Sequence, residues 1–197
     1  MSKSVLISIN PKWCELIASG KKTIEVRKTR PKLETPFKCY IYMTAGNASY
    51  PLKHKGELYT CHNNGGKTVI GEFVCNAIIP MSVEYSEPNN RLAQREFAFT
   101  CLTDKEIIDY LGNGKTGYGW HISNLVIYDE PLSLNWFLVE GDCDCMNCRK
   151  CGWFNPGNGY NVEDDCDLGY ENIYRKKTLK PLFRPPQSWC YVEDLEE

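Results

Sequence analysis

Residues 8–30 read SINPKWCELIASGKKTIEVRKTR, and the order of preferences in this stretch decides the fold. Asn10 suits an N-cap, because its side-chain oxygen can accept a bond from an unpaired N–H of the first helical turn. Pro11 follows at the first helical position, where a missing N–H costs nothing. Trp13, Leu16 and Ile17 fall at i, i+3 and i+4 and make one apolar face. Gly20 stands where a chain leaves a helix through positive φ. A helix is therefore expected from about Pro11 to Ser19. Thr23 to Arg27 then alternates as a strand does, with Ile24 and Val26 on one face and Thr23, Glu25 and Arg27 on the other. A carboxylate and a guanidinium two residues apart on one strand face can hold each other or hold a ligand. As a surface ion pair they would contribute little to stability. A barrel that packs Ile24 and Val26 inward would turn Glu25 and Arg27 toward solvent or a cleft.

Working outward, Val5 to Ile9 reads as a strand before the helix. Arg30 to Pro36 is a loop bracketed by prolines that cannot serve a central ladder, and Phe37 to Thr44 is a β-rich strand. Gly46 to Gly66 is polar, with a short strand at Glu57–Cys61 and a turn at Asn63-Asn64-Gly65-Gly66. Val69 to Ile79 is a strand in which Gly71 marks a bulge or a close approach. Arg91 to Phe99 could form a helical piece. Thr103 and Glu106 make a capping box for a second helix with Ile107, Ile108 and Leu111 inward and Gly112 at its end. Tyr118 to Tyr128 is a strand, Pro131 to Phe137 a loop with one helical turn, and Gln187 to Glu193 the closing strand. About five or six strands, two or more short helices and no βαβ alternation predict an α+β chain built as a small mixed β-barrel.

Composition bounds the function classes. The 197 residues, 42% of them apolar, fit one domain over residues 1–197 with room for an insertion. No apolar run is long enough for a transmembrane helix, and the N-terminus lacks a secretory apolar region, so a cytoplasmic protein without a membrane partner is expected. The net charge of −2 hides an asymmetry. Residues 1–55 hold 11 Lys/Arg against 3 Asp/Glu, and the remainder 12 against 22. Lys21, Lys22, Arg27, Lys28, Arg30 and Lys32 lie close together and would attract phosphates.

Residues 141–169 change character: Cys, Asp, Asn and Gly dominate and aliphatics nearly vanish. Such a segment cannot pack a core and needs a staple. Cys145-x-x-Cys148 and Cys148-x-x-Cys151 each have zinc-knuckle spacing, and Cys143 and Cys166 stand close by. Four of these five thiolates around one structural zinc would provide the staple; free thiols or disulfides are the alternatives. No histidine lies nearby and no general base is in view, so catalytic zinc is not expected. The other six of the 11 cysteines sit in apolar strands or the first helix, as small core residues do.

Gly20-x-Lys22-x-x-Glu25-x-Arg27, placed directly after strand and helix, resembles the hallmark of the ASCH family, a branch of the PUA-like β-barrels. The resemblance is close over roughly the first forty residues. Gly117 to Leu125 (GYGWHISNL) and Arg184 to Val192 (RPPQSWCYV) are similar to strands of phage and gut-bacterial ASCH proteins. The resemblance implies a PUA-like barrel with a cleft between strands and first helix, where bases can stack. It implies binding of RNA, single-stranded nucleic acid or a nucleotide. Lys12, Lys22, Arg27 and Lys28 would contact phosphate, Glu25 a base edge, and Trp13 or Trp189 would stack, with His121 and Ser123 on a neighbouring strand. It also carries an enzymatic alternative, a hydrolase acting on RNA or a modified nucleoside, with Lys22, Glu25 and His121 as catalytic candidates. The amidohydrolase variant of the motif has a threonine nucleophile where this chain has Glu25. A third alternative is a phage or mobile-element protein that binds a host partner.

Overall fold

The computed structural model describes residues 3–45, 50–54, 57–61, 67–82, 96–142 and 177–195. The elements are β1 (Lys3–Ile9), α1 (Pro11–Ala18), β2 (Ile24–Arg27), β3 (Phe37–Met43), β4 (Tyr50–His54), β5 (Glu57–Cys61), β6 (Thr68–Cys75), β7 (Ile78–Ser82), α2 (Asp104–Leu111), β8 (Thr116–His121), β9 (Ser123–Leu132), β10 (Leu138–Asp142), β11 (Lys177–Pro181) and β12 (Trp189–Glu193). Single 3-10 turns cover Ala98–Thr100 and Leu134–Trp136. The expected cysteine ligands, Cys143, Cys145, Cys148, Cys151 and Cys166, lie outside the described residues.

The opening stretch folds as its residues dictate. The Asn10 side chain accepts from the Lys12 N–H at 3.1 Å, Pro11 begins α1, and Gly20 takes φ of +74°. Thr103 and Glu106 form the reciprocal capping box of α2, which Gly112 ends. The architecture is α+β, with strands in the majority. A five-stranded sheet runs β12-β1-β3-β6-β9, and a three-stranded sheet runs β2-β8-β7. β1 and β3 pair parallel while the other ladders of the large sheet are antiparallel. Parallel pairing needs a crossover, and the chain between β1 and β3 is the stretch that holds α1 and β2.

Two expected strands divide at corners. The run Val69 to Ile79 breaks after Cys75, so that β6 joins the large sheet and β7 the small one. The run Tyr118 to Tyr128 divides at Ile122, with Asn124 at φ +48° just beyond. Both halves of each run carry apolar residues to a core, and hydrophobic patterning does not register a bend. At the corner the Ile122 N–H donates to Thr23 O at 2.9 Å and the His121 N–H to Ala77 O at 3.0 Å.

The two sheets are not closed into a barrel by a continuous ladder. Opposite the corner, β2 and the loop after it face β12 and the end of β1 across a seam crossed by side chains. Arg27 donates to Ser8 O at 2.6 Å and reaches Ser188 Oγ at 3.4 Å. The Trp189 indole donates to Thr29 Oγ1 at 3.0 Å, and the Lys32 N–H donates to the Tyr191 hydroxyl at 2.7 Å.

Both faces of β2 are covered. Ile24 and Val26 pack with Met81, Ile107 and Leu111 in a core beneath α2. The helix can come this close because β8 has a glycine on that face: a Cβ on Gly117 would lie 2.5 Å from Leu111 Cδ2, while Gly119 makes the same room for Met81 of β7, whose Sδ would lie 2.5 Å from a Cβ there. Glu25 and Arg27 point the other way, toward the main core of Ile7, Ile9, Cys14, Ile41, Phe73 and Trp120. The polar face of β2 thus looks into the space between the sheets, the reverse of the expectation that Ile24 and Val26 would fill it. A helix contributed by residues about eighty positions downstream makes the difference.

Candidate functional site

Lys22, Glu25 and Arg27 form a charged cluster that is almost wholly buried, with exposures of 1%, 6% and 7%. Lys22 Nζ lies 3.3 Å from Glu25 Oε2, and Arg27 Nη2 lies 3.0 Å from Glu25 Oε1. Lys22 Nζ also donates to Ile24 O at 2.9 Å and to Thr100 O at 2.6 Å. An ammonium has three hydrogens, and these three acceptors match them. Lys22 therefore ties the start of β2 to the 3-10 turn before α2. This is no surface ion pair: breaking one partner of a buried pair costs about 3–5 kcal/mol, whereas exposed pairs contribute about 0–1 kcal/mol.

Arg27 has more capacity than partners. Its Nη2 serves Glu25 and Ser8 O, and its Nη1 makes the long contact to Ser188. Among the described residues its buried Nε finds no hydrogen-bond partner, and neither does the indole Nε1 of Trp120. The β2–β8 register sets Glu25 opposite Trp120 and Arg27 opposite Tyr118, so all four side chains share one face.

Aromatic rings line this side of the molecule. Trp120 meets Phe37 at 5.9 Å and Trp189 at 5.8 Å between centroids, and Trp189 meets Tyr191 edge-on at 5.4 Å. Lys12 and Lys22 place Nζ 4.2 and 5.3 Å from the centroid of Trp13, and the Arg30 guanidinium lies 5.8 Å from that of Tyr118. Lys12, Arg30 and Lys32 are exposed.

The structure brings Trp13, Lys22, Glu25, Arg27 and Trp189 into one neighbourhood, with Lys12 over Trp13 at its edge. It separates the other expected residues from them. His121 stands opposite Ile24 in the register and so lies on the α2 face, away from Glu25 and Arg27. Ser123 spends its hydroxyl on Val74 O at 2.7 Å, within the large sheet. Lys28 leans over Tyr110 of α2 at 5.2 Å. Patterning passed over Ser8, Thr29, Tyr118 and Ser188. They act through a backbone carbonyl, two hydroxyls and a ring, whose meeting depends on the seam.

Lys22 has no hydrogen to spare, both Glu25 oxygens face cations, and His121 is on the other face. Cys14 is buried close by, with Sγ 3.7 Å from Ile9 O; burial first, and the Glu25 charge second, push its thiol well above the ordinary range, so it remains protonated. The cluster holds two cations and one carboxylate, a net positive charge.

No protein-family model matches the chain, and no curated protein does. Among solved structures, ASCH from Zymomonas mobilis is similar with a TM-score of 0.49 and 21% identity, covering 79% of this chain and 83% of that one. A point mutant of the same Zymomonas mobilis protein gives a TM-score of 0.50 with 20% identity over 80% of this chain and 87% of that one. Likeness at this identity is one of fold.

Proposed function

We propose that this chain, with the fold of an ASCH domain, binds a nucleotide or a single-stranded nucleic acid along the seam between β2 and β12. The observation that carries this reading is Arg27. It is clamped by Glu25 and Ser8 O, yet it keeps Nε without an acceptor beside a row of aromatic rings. A guanidinium fixed on one side with an N–H left over on another is suited to phosphate or base oxygens. Trp189 and Tyr191 are half-buried, so each offers ring area on which bases can stack, an interaction worth about 1–3 kcal/mol per base. Lys12, Arg30 and Lys32 would meet the backbone phosphates. Binding is favoured over turnover because the would-be catalytic residues Lys22, Glu25 and His121 are either fully engaged or on opposite faces.

Fluorescence anisotropy with short mixed-sequence RNA and DNA strands tests this. Binding should weaken with salt, and Lys12→Ala and Arg30→Ala should each lower affinity several-fold and reduce the salt slope by about one contact. Both residues are exposed, so the melting temperature should stay where it is. Affinity that neither salt nor these changes alter would refute the reading, as would the absence of binding to any strand.

A further inference from the structure

Resting on that reading, we infer that Glu106 of α2 is a built-in competitor of the ligand: its carboxylate occupies Lys12, and a phosphate must displace it before this lysine can hold the strand. Lys12 Nζ lies 3.4 Å from Glu106 Oε1 and 4.2 Å from the centroid of the Trp13 ring. The two partners act differently. The ring steadies the ammonium and leaves its charge intact, whereas the carboxylate neutralises it. Glu106 divides its oxygens between two duties. Its Oε2 accepts from the Thr103 N–H at 2.9 Å and from the Thr103 hydroxyl at 3.0 Å, which closes the capping box, and its Oε1 faces Lys12. The Thr103 bonds, and after them the bond and charge of Lys12, hold the Glu106 carboxyl below the usual carboxylate range. It is therefore an anion wherever a phosphodiester is one.

The contact is of a kind that exchanges. The Lys12 and Glu106 side chains are exposed to 61% and 40%, and their separation is long for a charged hydrogen bond. Water and salt weaken such a pair. A phosphodiester carries the same single charge as the carboxylate, so one anion replaces another and Lys12 contributes less than an unpaired lysine would. Arg30 provides the contrast. Its guanidinium lies 5.8 Å from the centroid of Tyr118, and among the described residues it has no carboxylate partner. A phosphate meets Arg30 directly and Lys12 only by exchange.

Glu106→Gln separates the two duties. Glutamine serves a capping box as glutamate does. Its amide oxygen can keep the Thr103 N–H, while its NH2 only donates and so releases Lys12, which has no acceptor. Anisotropy titrations of the full chain with one short single-stranded RNA, at low and at moderate salt, compare the unaltered protein with E106Q, each alone and with Lys12→Ala or Arg30→Ala. E106Q should bind about two- to fivefold tighter at low salt, the scale of an exposed ion pair, and salt should shrink the gain. Lys12→Ala should erase that gain and Arg30→Ala should leave it whole. This coupling between positions 106 and 12 is a readout that a weakened helix cap would not produce. Unchanged or weaker binding by E106Q, or a gain that survives Lys12→Ala, would overturn the competition and leave strand binding standing. Failure of the unaltered protein and E106Q alike to bind any strand would overturn both.

Discussion

Glu25 carries the cluster at the residue scale. Removing its charge leaves Lys22 and Arg27 buried with no counter-ion, so Glu25→Gln should destabilise the fold by about 3–5 kcal/mol in urea unfolding. A loss under about 1 kcal/mol would mean that solvent screens the pair, as it does at a surface. The pairing of Glu25 with Arg27 was legible from the alternation of Thr23 to Arg27. Its burial was not, because alternation tells which residues share a face and not which face is covered. The pair is covered by the main core around Ile7, Cys14 and Trp120, because α2, which Gly117 lets approach, takes the Ile24 and Val26 face instead. Two other glycines separate backbone need from space. A Cβ at Gly71 would sit 2.2 Å from Val126 O, a backbone atom, whereas one at Gly20 meets nothing within 4 Å and faces strain from φ +74°. Gly71→Ala should therefore cost about 3 kcal/mol or more and Gly20→Ala about 1–2 kcal/mol. The reverse order in thermal melts would contradict the β6–β9 approach.

At the scale of elements, β12 is tied to the large sheet by its ladder to β1 and by Asp194 just beyond its end. Asp194 bonds the Tyr40 hydroxyl and lies 3.3 Å from Lys38 Nζ. Partial burial pushes its carboxyl upward, but the bonds from Tyr40 and Lys38, the Lys38 charge and a bond from Ser4 more than offset this, and its pKa is lowered. A lowered folded-state value means the contribution is present above the ordinary carboxylate range and lost as pH falls through the folded-state value. Lys38→Ala should therefore reduce stability at neutral pH and flatten the acid limb of the unfolding curve; an unchanged limb would show that Asp194 is held by other means. The cysteine-rich element between β10 and β11 is a separate matter. Its spacing alone leads us to propose one structural zinc held by four of Cys143, Cys145, Cys148, Cys151 and Cys166. Metal analysis of protein purified under reducing conditions should return about one zinc per chain, and a metal-free protein or a disulfide set would end that proposal. The helices and caps were legible because their signals are local: Asn10, Thr103 and Glu106 each act within one turn. The corners after Cys75 and at Ile122 were not, because the apolar pattern runs on through them.

For the whole molecule, the decisive feature is a pair of sheets joined through backbone at one side and through side chains at the other. Sequence reading anticipated β1, β2, β3, β5, β12, both helices and the α+β class, ran β6 into β7 and β8 into β9, and missed β4, β10 and β11; Glu25 and Arg27 remain its proposed site residues. It could not anticipate that Arg27, Trp189 and Tyr191 would bridge a seam, since the partners stand some 160 residues apart in the chain. If that seam is where ligand enters, its own N–H groups must report the event. The five tryptophans make the test direct: a two-dimensional 15N NMR titration with a short single-stranded RNA, following the indole N–H and arginine Nε–H signals. The account predicts that the Trp120, Trp189 and Arg27 signals move together and saturate with the same affinity, while the exposed Trp136 on the 3-10 turn before β10 stays still. Saturable binding that leaves Trp120, Trp189 and Arg27 unmoved would contradict it.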